Sequence, residues 1–328
     1  GGLRADFLGC YGNDRPATPC IDALAAAGVR CASAYSSDAT TAGARAALFS
    51  GRFGVETGVV TDGAPGDFID GVTPVSVNGD NAPRPLLQEY LSAEGIRTAA
   101  ITPFGRQPAR WFYPGWTEVY DDWTASVPKD VAAADVNSAA RAWLDASRRG
   151  GDDRPFFLYL TFNNLYRHAD TPLSREETAY WEELLSYGDP AYPDEETFAA
   201  HRLLHAAFSP RVHRAPSREA MWKLVHNYAA RIRGVDDEIG RLTACLHELE
   251  LADATSLVIT SDHGVMFGEH GCYGGHTSAH LKCVHIPMIV SAPGVFEPGT
   301  VVKGLCYGLD LAPTICRLYG LEPPSGYH

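Results

Sequence analysis

Short apolar runs recur along the chain, each closed by polar, proline or glycine residues. They fall at residues 97–102, 155–162, 256–260 and 287–291. Runs of this length and punctuation predict strands buried in a parallel sheet. Between them the period lengthens to that of a helix, at residues 21–27, 85–94, 132–147 and 221–249. The last is the clearest. Tyr228, Ile232, Val235, Ile239, Leu242, Leu246 and Leu249 repeat at alternating spacings of four and three, a continuous apolar stripe. Asp236, Asp237, Glu238 and Arg241 fall mostly off it. Strand–helix–strand order predicts an α/β fold, a three-layer sandwich with a mostly parallel central sheet and helices on both faces. Sites in such folds gather at the carboxyl ends of strands.

Residues 165–218 break the pattern, being rich in proline, tyrosine, histidine and charge. A stretch of this length inside a compact domain reads as a lid-like insertion facing substrate. His201 and His205, four apart, read as exposed histidines on a helix face rather than as metal ligands. No repeat and no low-complexity tract divides the chain.

Composition narrows the function classes. The chain has 328 residues, 45% hydrophobic, and 27 basic against 40 acidic residues give a formal charge of −13. Without a dense basic run, a nucleic-acid surface is not expected. An anionic ester can still bind where a metal and a few Arg or His residues set the local field. No apolar stretch approaches a membrane span and no signal peptide opens the chain. The eight cysteines form no CxxC pair, which favours free thiols in a reducing, cytoplasmic setting over disulfides or zinc.

Two segments carry candidate chemistry. Thr260, Ser261, Asp262, His263 and Gly264 come directly after an apolar strand. A carboxylate and an imidazole at a strand end suit a divalent ion, although a polar loop with a chance Asp-His pair reads the same way. The other segment runs from Thr41 through Gly43, Ala44 and Arg45 to Arg52. With Leu3-Arg4-Ala5-Asp6 and the patterns at 18–29, 228–241, 261–271, 285–294 and 310–314, it resembles the sulfatase family of the alkaline phosphatase superfamily, in the family's order from end to end.

That resemblance implies one sulfatase-like catalytic domain over 1–328, with the first strand and the C-terminal subdomain absent. In the family the residue four before the motif's arginine is a cysteine oxidised to formylglycine. Counted back from Arg45 it is Thr41 here, with Thr40 one residue off register. Threonine cannot become an aldehyde, and a threonyl sulfate lacks the exit that an aldehyde hydrate provides. A threonyl phosphate can be attacked in line by water or an alcohol. The expected activity is therefore that of a metal-dependent hydrolase or transferase acting on a small-molecule phosphate mono- or diester, with a sulfate ester second.

The resemblance assigns Thr41 as nucleophile and Arg45 to steady it and the transferred group. Asp262, His263 and Thr41 would hold one divalent ion (Ca, Mn, Mg or Zn). His276, Arg167 and His168 would contact the ester. Capping of the helix at Thr41 is the plain alternative role and is compatible with catalysis. Several departures favour a rival, a non-catalytic binding protein that keeps the fold. Gly1 and Gly2 stand where the family places an Asp pair. Gly43 replaces a proline, Ala44 a serine, Gly275 a lysine and Tyr166 a histidine.

Overall fold

The computed structural model describes residues 1–15, 17–59, 85–103, 109–121, 131–163, 165, 172–187, 193–205, 217–269, 275–276 and 278–328, with backbone only at 110 and 201–205. In chain order the elements are α1 (Pro19–Ala27), β1 (Val29–Tyr35), α2 (Thr41–Ser50), α3 (Gly54–Thr57), α4 (Leu87–Ala93), β2 (Arg97–Ile101), β3 (Glu118–Tyr120), α5 (Ala133–Arg149) and β4 (Phe156–Leu160). The remaining elements are α6 (Arg175–Leu185), α7 (Glu195–His205), α8 (Arg218–Glu248), β5 (Leu257–Thr260), α9 (Leu281–Val284), β6 (Met288–Ser291), β7 (Thr300–Tyr307) and α10 (Leu311–Leu318).

The strands form two sheets, ordered β5-β6-β1-β7 and β3-β2-β4. The three-stranded sheet is parallel throughout, as is the β1–β7 pair. β6 runs antiparallel to both β5 and β1, with Val290 opposite Val258 on one side and Val29 on the other. β1 and β5 therefore point the same way, and their carboxyl ends share one edge.

Alternation along the strands sorts side chains into two helical layers. Phe157 and Tyr159 of β4, Val258 of β5 and Met288 of β6 pack with α2, α4 and α10. Leu257 and Ile259 of β5 and Ile289 of β6 pack with α1 and α8. Phe156, Leu158 and Leu160 of β4 face α5 and the end of α8. This is the expected α/β sandwich.

The α8 stripe is buried from Tyr228 to Leu246. Asp236, off that stripe in the sequence pattern, is also fully buried. Thr18, the residue before α1, offers no side-chain cap. The Asp236 carboxylate instead accepts from the Ile21 N–H at 2.8 Å and the Cys20 N–H at 3.2 Å, closing the amino end of α1 from outside. Within 165–218 the described residues include two helices. α6 packs on α8, where Tyr180 donates to Asp237, and α7 carries His201 and His205, whose side chains lie outside the described residues. None of the seven described cysteines is in a disulfide, and no described helix is long and apolar enough to cross a membrane.

α2 fixes the geometry of the strand-end cluster. Its alanines favour the helix and let it sink into the core, so that Ala42, Ala46, Ala47 and Phe49 are all within 1% of complete burial. Gly51 ends it in the left-handed region at φ 59°, its N–H reaching the Ala47 carbonyl. Phe49 meets Phe112, Trp116 and Tyr159 edge-on, at centroid distances of 5.6, 5.7 and 5.0 Å. Phe49→Ala should cost about 3–5 kcal/mol in urea denaturation; a loss below about 1 kcal/mol would show that α2 is not seated by this ring.

Candidate active site

Thr40, not Thr41, caps α2. Its side-chain oxygen accepts from the Gly43 N–H at 3.3 Å. Thr41 is the first helical residue, which leaves its hydroxyl to point elsewhere. That hydroxyl lies 3.0 Å from His263 Nε2.

The direction of this hydrogen bond is set by the other side of the ring. His263 Nδ1 is 2.8 Å from the Gly264 carbonyl oxygen, which can only accept, so Nδ1 carries the proton. Burial is the largest influence on the imidazole. Asp262 and the Gly264 carbonyl favour the charged form, and nearby His276 opposes it. The result is a pKa pushed down from 6.5 to about 4. The ring is neutral at pH 7, Nε2 is a bare acceptor, and Thr41 donates to it.

Asp262 takes one set of hydrogen bonds on each oxygen. Oδ2 accepts from Arg45 Nη2 at 2.9 Å and Nε at 3.1 Å. Oδ1 accepts from the backbone N–H groups of Gly2 at 3.0 Å and His263 at 2.9 Å. Burial disfavours the carboxylate, yet His263, Arg45 and the Gly2 N–H together hold its pKa well below the ordinary range. Arg45 Nη2 also reaches Asn163 Oδ1 at 3.3 Å.

The amino-terminal residues are threaded through this centre. Gly1 N donates to the Phe162 carbonyl just beyond β4, and Leu3 N donates to Ser261 Oγ just beyond β5. Tyr228 of α8 donates to the Gly2 carbonyl at 2.7 Å and accepts from Arg4 N at 2.9 Å. Arg4 in turn ties Asp6 to Glu269 and the Val265 carbonyl. The carboxyl ends of β1, β4 and β5 thus meet around Thr41, Arg45, Asn163, Asp262 and His263.

His276 joins them from the loop after Gly275. Its ring stacks on His263 with centroids 4.0 Å apart and planes 8° from parallel, and its Nδ1 donates to the Ala39 carbonyl at 2.8 Å. Of the candidate residues, Thr41, Arg45, Asp262, His263 and His276 are therefore contiguous. Arg167 and His168, with Tyr166, lie outside the described residues. Asn163 and Tyr228 carry no site role in the sequence pattern. Asn163 comes directly after a strand-like run, which is a usable signal. The Tyr228 hydroxyl is hidden behind that residue's place on the apolar stripe.

A doubly layered α/β fold with a polar cluster at the strand ends, opened by a buried helix amino terminus, has the layout of the alkaline phosphatase and sulfatase-like hydrolases. The chain belongs to the Sulfatase family, whose profile matches residues 2–321. It is 27% identical to N-acetylgalactosamine-6-sulfatase of Sus scrofa over 97% of this chain and 60% of that protein. It is 23% identical to N-acetylglucosamine-6-O-sulfatase of Bacteroides thetaiotaomicron over 97% of this chain and 66% of that protein. The chain thus spans 60–66% of the length of these two relatives. Among solved structures, the phosphonate monoester hydrolase of Agrobacterium radiobacter superposes with a TM-score of 0.74 at 20% identity, over 98% of this chain and 72% of that one. A protein solved with its substrate D-glucosamine-2-N,6-O-disulfate gives 0.72 at 19% identity, over 99% and 76%.

Sulfatases generally bind a divalent metal ion, and that requirement can be set against the donors present. Among the described residues no group of three or more His, Cys, Asp or Glu side chains converges. Among the described residues the donors at hand are Thr41 Oγ1, His263 Nε2, Asn163 Oδ1 and one carboxylate, the last two already engaged by a guanidinium. Divalent ions of this kind take several oxygen ligands, with carboxylates supplying the charge. A divalent ion about 4 Å from Arg45 would meet a repulsion of order 8 kcal/mol at an effective dielectric of about 20. The residues do not fit the ion, and the chemistry assigned to this site does not pass through one.

His263 makes stability depend on pH. A folded-state pKa of about 4 against 6.5 means its contribution is complete above pH 6.5 and lost as pH falls toward 4. The depressed Asp262 extends the loss below that window. Chemical denaturation should show about 3 kcal/mol less stability at pH 4 than at pH 7 from His263. His263→Gln should remove most of that slope; an unchanged slope would place the titration elsewhere.

Proposed function

We propose that this chain is a hydrolase or transferase of small phosphate mono- or diesters that works through a covalent Thr41 intermediate. The observation carrying this reading is the 3.0 Å contact from the Thr41 hydroxyl to the bare Nε2 of neutral His263. A nucleophile in hydrogen-bond reach of a base, with the base oriented by a third group, is the minimal arrangement for covalent catalysis. The Gly264 carbonyl is the orienting group.

Thr41 Oγ attacks phosphorus in line as its proton passes to His263 Nε2. The bond from phosphorus to the leaving oxygen breaks on the side opposite Thr41, and the alcohol takes its proton from solvent. Water or an acceptor alcohol then enters in line from that side, losing its proton to solvent; the phosphorus–Oγ bond breaks, and Thr41 Oγ takes back the proton held on Nε2. A phosphoryl dianion beside the ring favours the charged imidazole, raising its basicity when substrate is bound. The amino end of α2 faces the same point and favours negative charge. His276, stacked on His263, would contact an ester oxygen together with Arg167 or His168.

Phosphorus is preferred over sulfur because the nucleophile is threonine. Formylglycine releases sulfate by re-forming a carbonyl, and a threonyl sulfate has no such route. The structural neighbours include phosphonate monoester hydrolases, in keeping with phosphorus chemistry on this fold; sulfate esters, the substrates named in the relatives, are the second choice.

A second reading is a fold that binds anionic esters without turning them over. It is favoured by the Arg45–Asp262 pair and by Gly1 and Gly2 beside it. Acid-quenched intact mass after exposure to a nitrophenyl phosphodiester separates the two. The catalytic reading predicts a mass increase from a Thr41 adduct carrying the phosphoryl group with its remaining ester, absent in Thr41→Ala, whose turnover falls to the buffer rate. His263→Ala should lower turnover by about 10²–10⁴-fold. Full turnover in Thr41→Ala would remove the nucleophile assignment, and binding without turnover in the unmodified chain would establish the second reading.

A further inference from the structure

From the arrangement around Gly1 we infer that the Arg45 guanidinium is the resident cation of this site, in place of the divalent metal ion that sulfatases generally bind. Arg45 Nη2 is 2.9 Å from Asp262 Oδ2 and 3.3 Å from Asn163 Oδ1. A Cβ built on Gly1 would stand 3.2 Å from that same nitrogen, 2.9 Å from Asp262 Oδ2 and 3.3 Å from Asn163 Oδ1. Three positions, two of them oxygens, therefore converge on one cationic nitrogen.

Glycine at position 1 is what makes this possible. Any larger side chain would push into the space the guanidinium uses. An acid there would add a second negative charge and draw an exchangeable cation instead. With glycine, one carboxylate faces one guanidinium, and the pair is neutral and buried, with side chains 3% and 4% exposed. A guanidinium held from both Nε and Nη2 is a fixed charge in a defined plane. The cation of this site is then part of the chain and does not depend on metal supply.

This assignment of the cation is independent of whether Thr41 reacts. It is tested by calorimetric titration and thermal unfolding in chelator, MnCl₂ and CaCl₂, with the unmodified chain and Arg45→Ala. The unmodified chain should show no stoichiometric heat and no change in Tm from chelator to millimolar ion. Arg45→Ala exposes Asp262, Asn163, Thr41 and His263 to solvent ions and should gain a saturable rise in Tm, about 4 °C or more. One-to-one binding of either ion by the unmodified chain below millimolar concentration overturns the inference, as does a folded Arg45→Ala that ignores both ions. If Arg45→Ala does not fold, the Gly1→Asp/Arg45→Ala double variant, whose two carboxylates leave a net charge of −2 for an added divalent ion to neutralise, is purified with MnCl₂ or CaCl₂ and carries the same two outcomes. A chain that forms the Thr41 adduct and also binds metal sinks this inference alone. A chain that does neither sinks the proposed activity alone.

Discussion

A buried ion pair between Arg45 and Asp262 organises the site. Moving either charge out of water is costly, and the pair is tolerable because each oxygen of Asp262 has its own donors. Removing one partner from such a pair commonly costs about 3–5 kcal/mol. The pair joins the first turns of α2 to the loop after β5. Through Asn163 it also reaches the end of β4. Thr41, at the start of α2, and His263, next to Asp262, sit on the two segments that this junction joins.

The pair also sets the character of the histidine beside it. His263 is buried with Asp262 as its neighbour in sequence, with a carbonyl on Nδ1 and a hydroxyl on Nε2. Burial outweighs the pull of Asp262 and the Gly264 carbonyl toward the charged form, and the ring is neutral at pH 7. The same features that make the ring a poor cation make Nε2 a suitable proton acceptor for Thr41. The capping duty that would have occupied the Thr41 hydroxyl is carried by Thr40.

Much of this is legible in the sequence, for physical reasons that differ by residue. The apolar runs at β2, β4, β5 and β6, buried or half-buried, and the stripe of α8 are visible because burial selects apolar residues at their positions. β1 and β7 are not. β1 carries Arg30, Ser33 and Ala34 among its apolar residues, and β7 is an edge strand with Val301, Val302 and Leu305 exposed. Asp236 reads as part of a polar face because a single sequence cannot show that another helix's amino end needs an acceptor there. At the site, the resemblance to sulfatases points to Thr41 and Arg45, and the strand-end motif to Asp262 and His263. Spacing cannot show that Thr40 does the capping, that Asn163 joins Arg45, or that Asp262 is engaged by a guanidinium. The last two are facts of packing between segments more than 100 residues apart.

The central claim is that His263 presents a bare Nε2 to Thr41 in a site whose cation is Arg45. Nitrogen-15 NMR of the imidazole at pH 7, recorded with and without added Mn²⁺, tests both halves in one spectrum. The structure predicts a neutral ring protonated at Nδ1, with a signal that survives the paramagnetic ion. Protonation at Nε2, or selective loss of the His263 signal when Mn²⁺ is added, would contradict it.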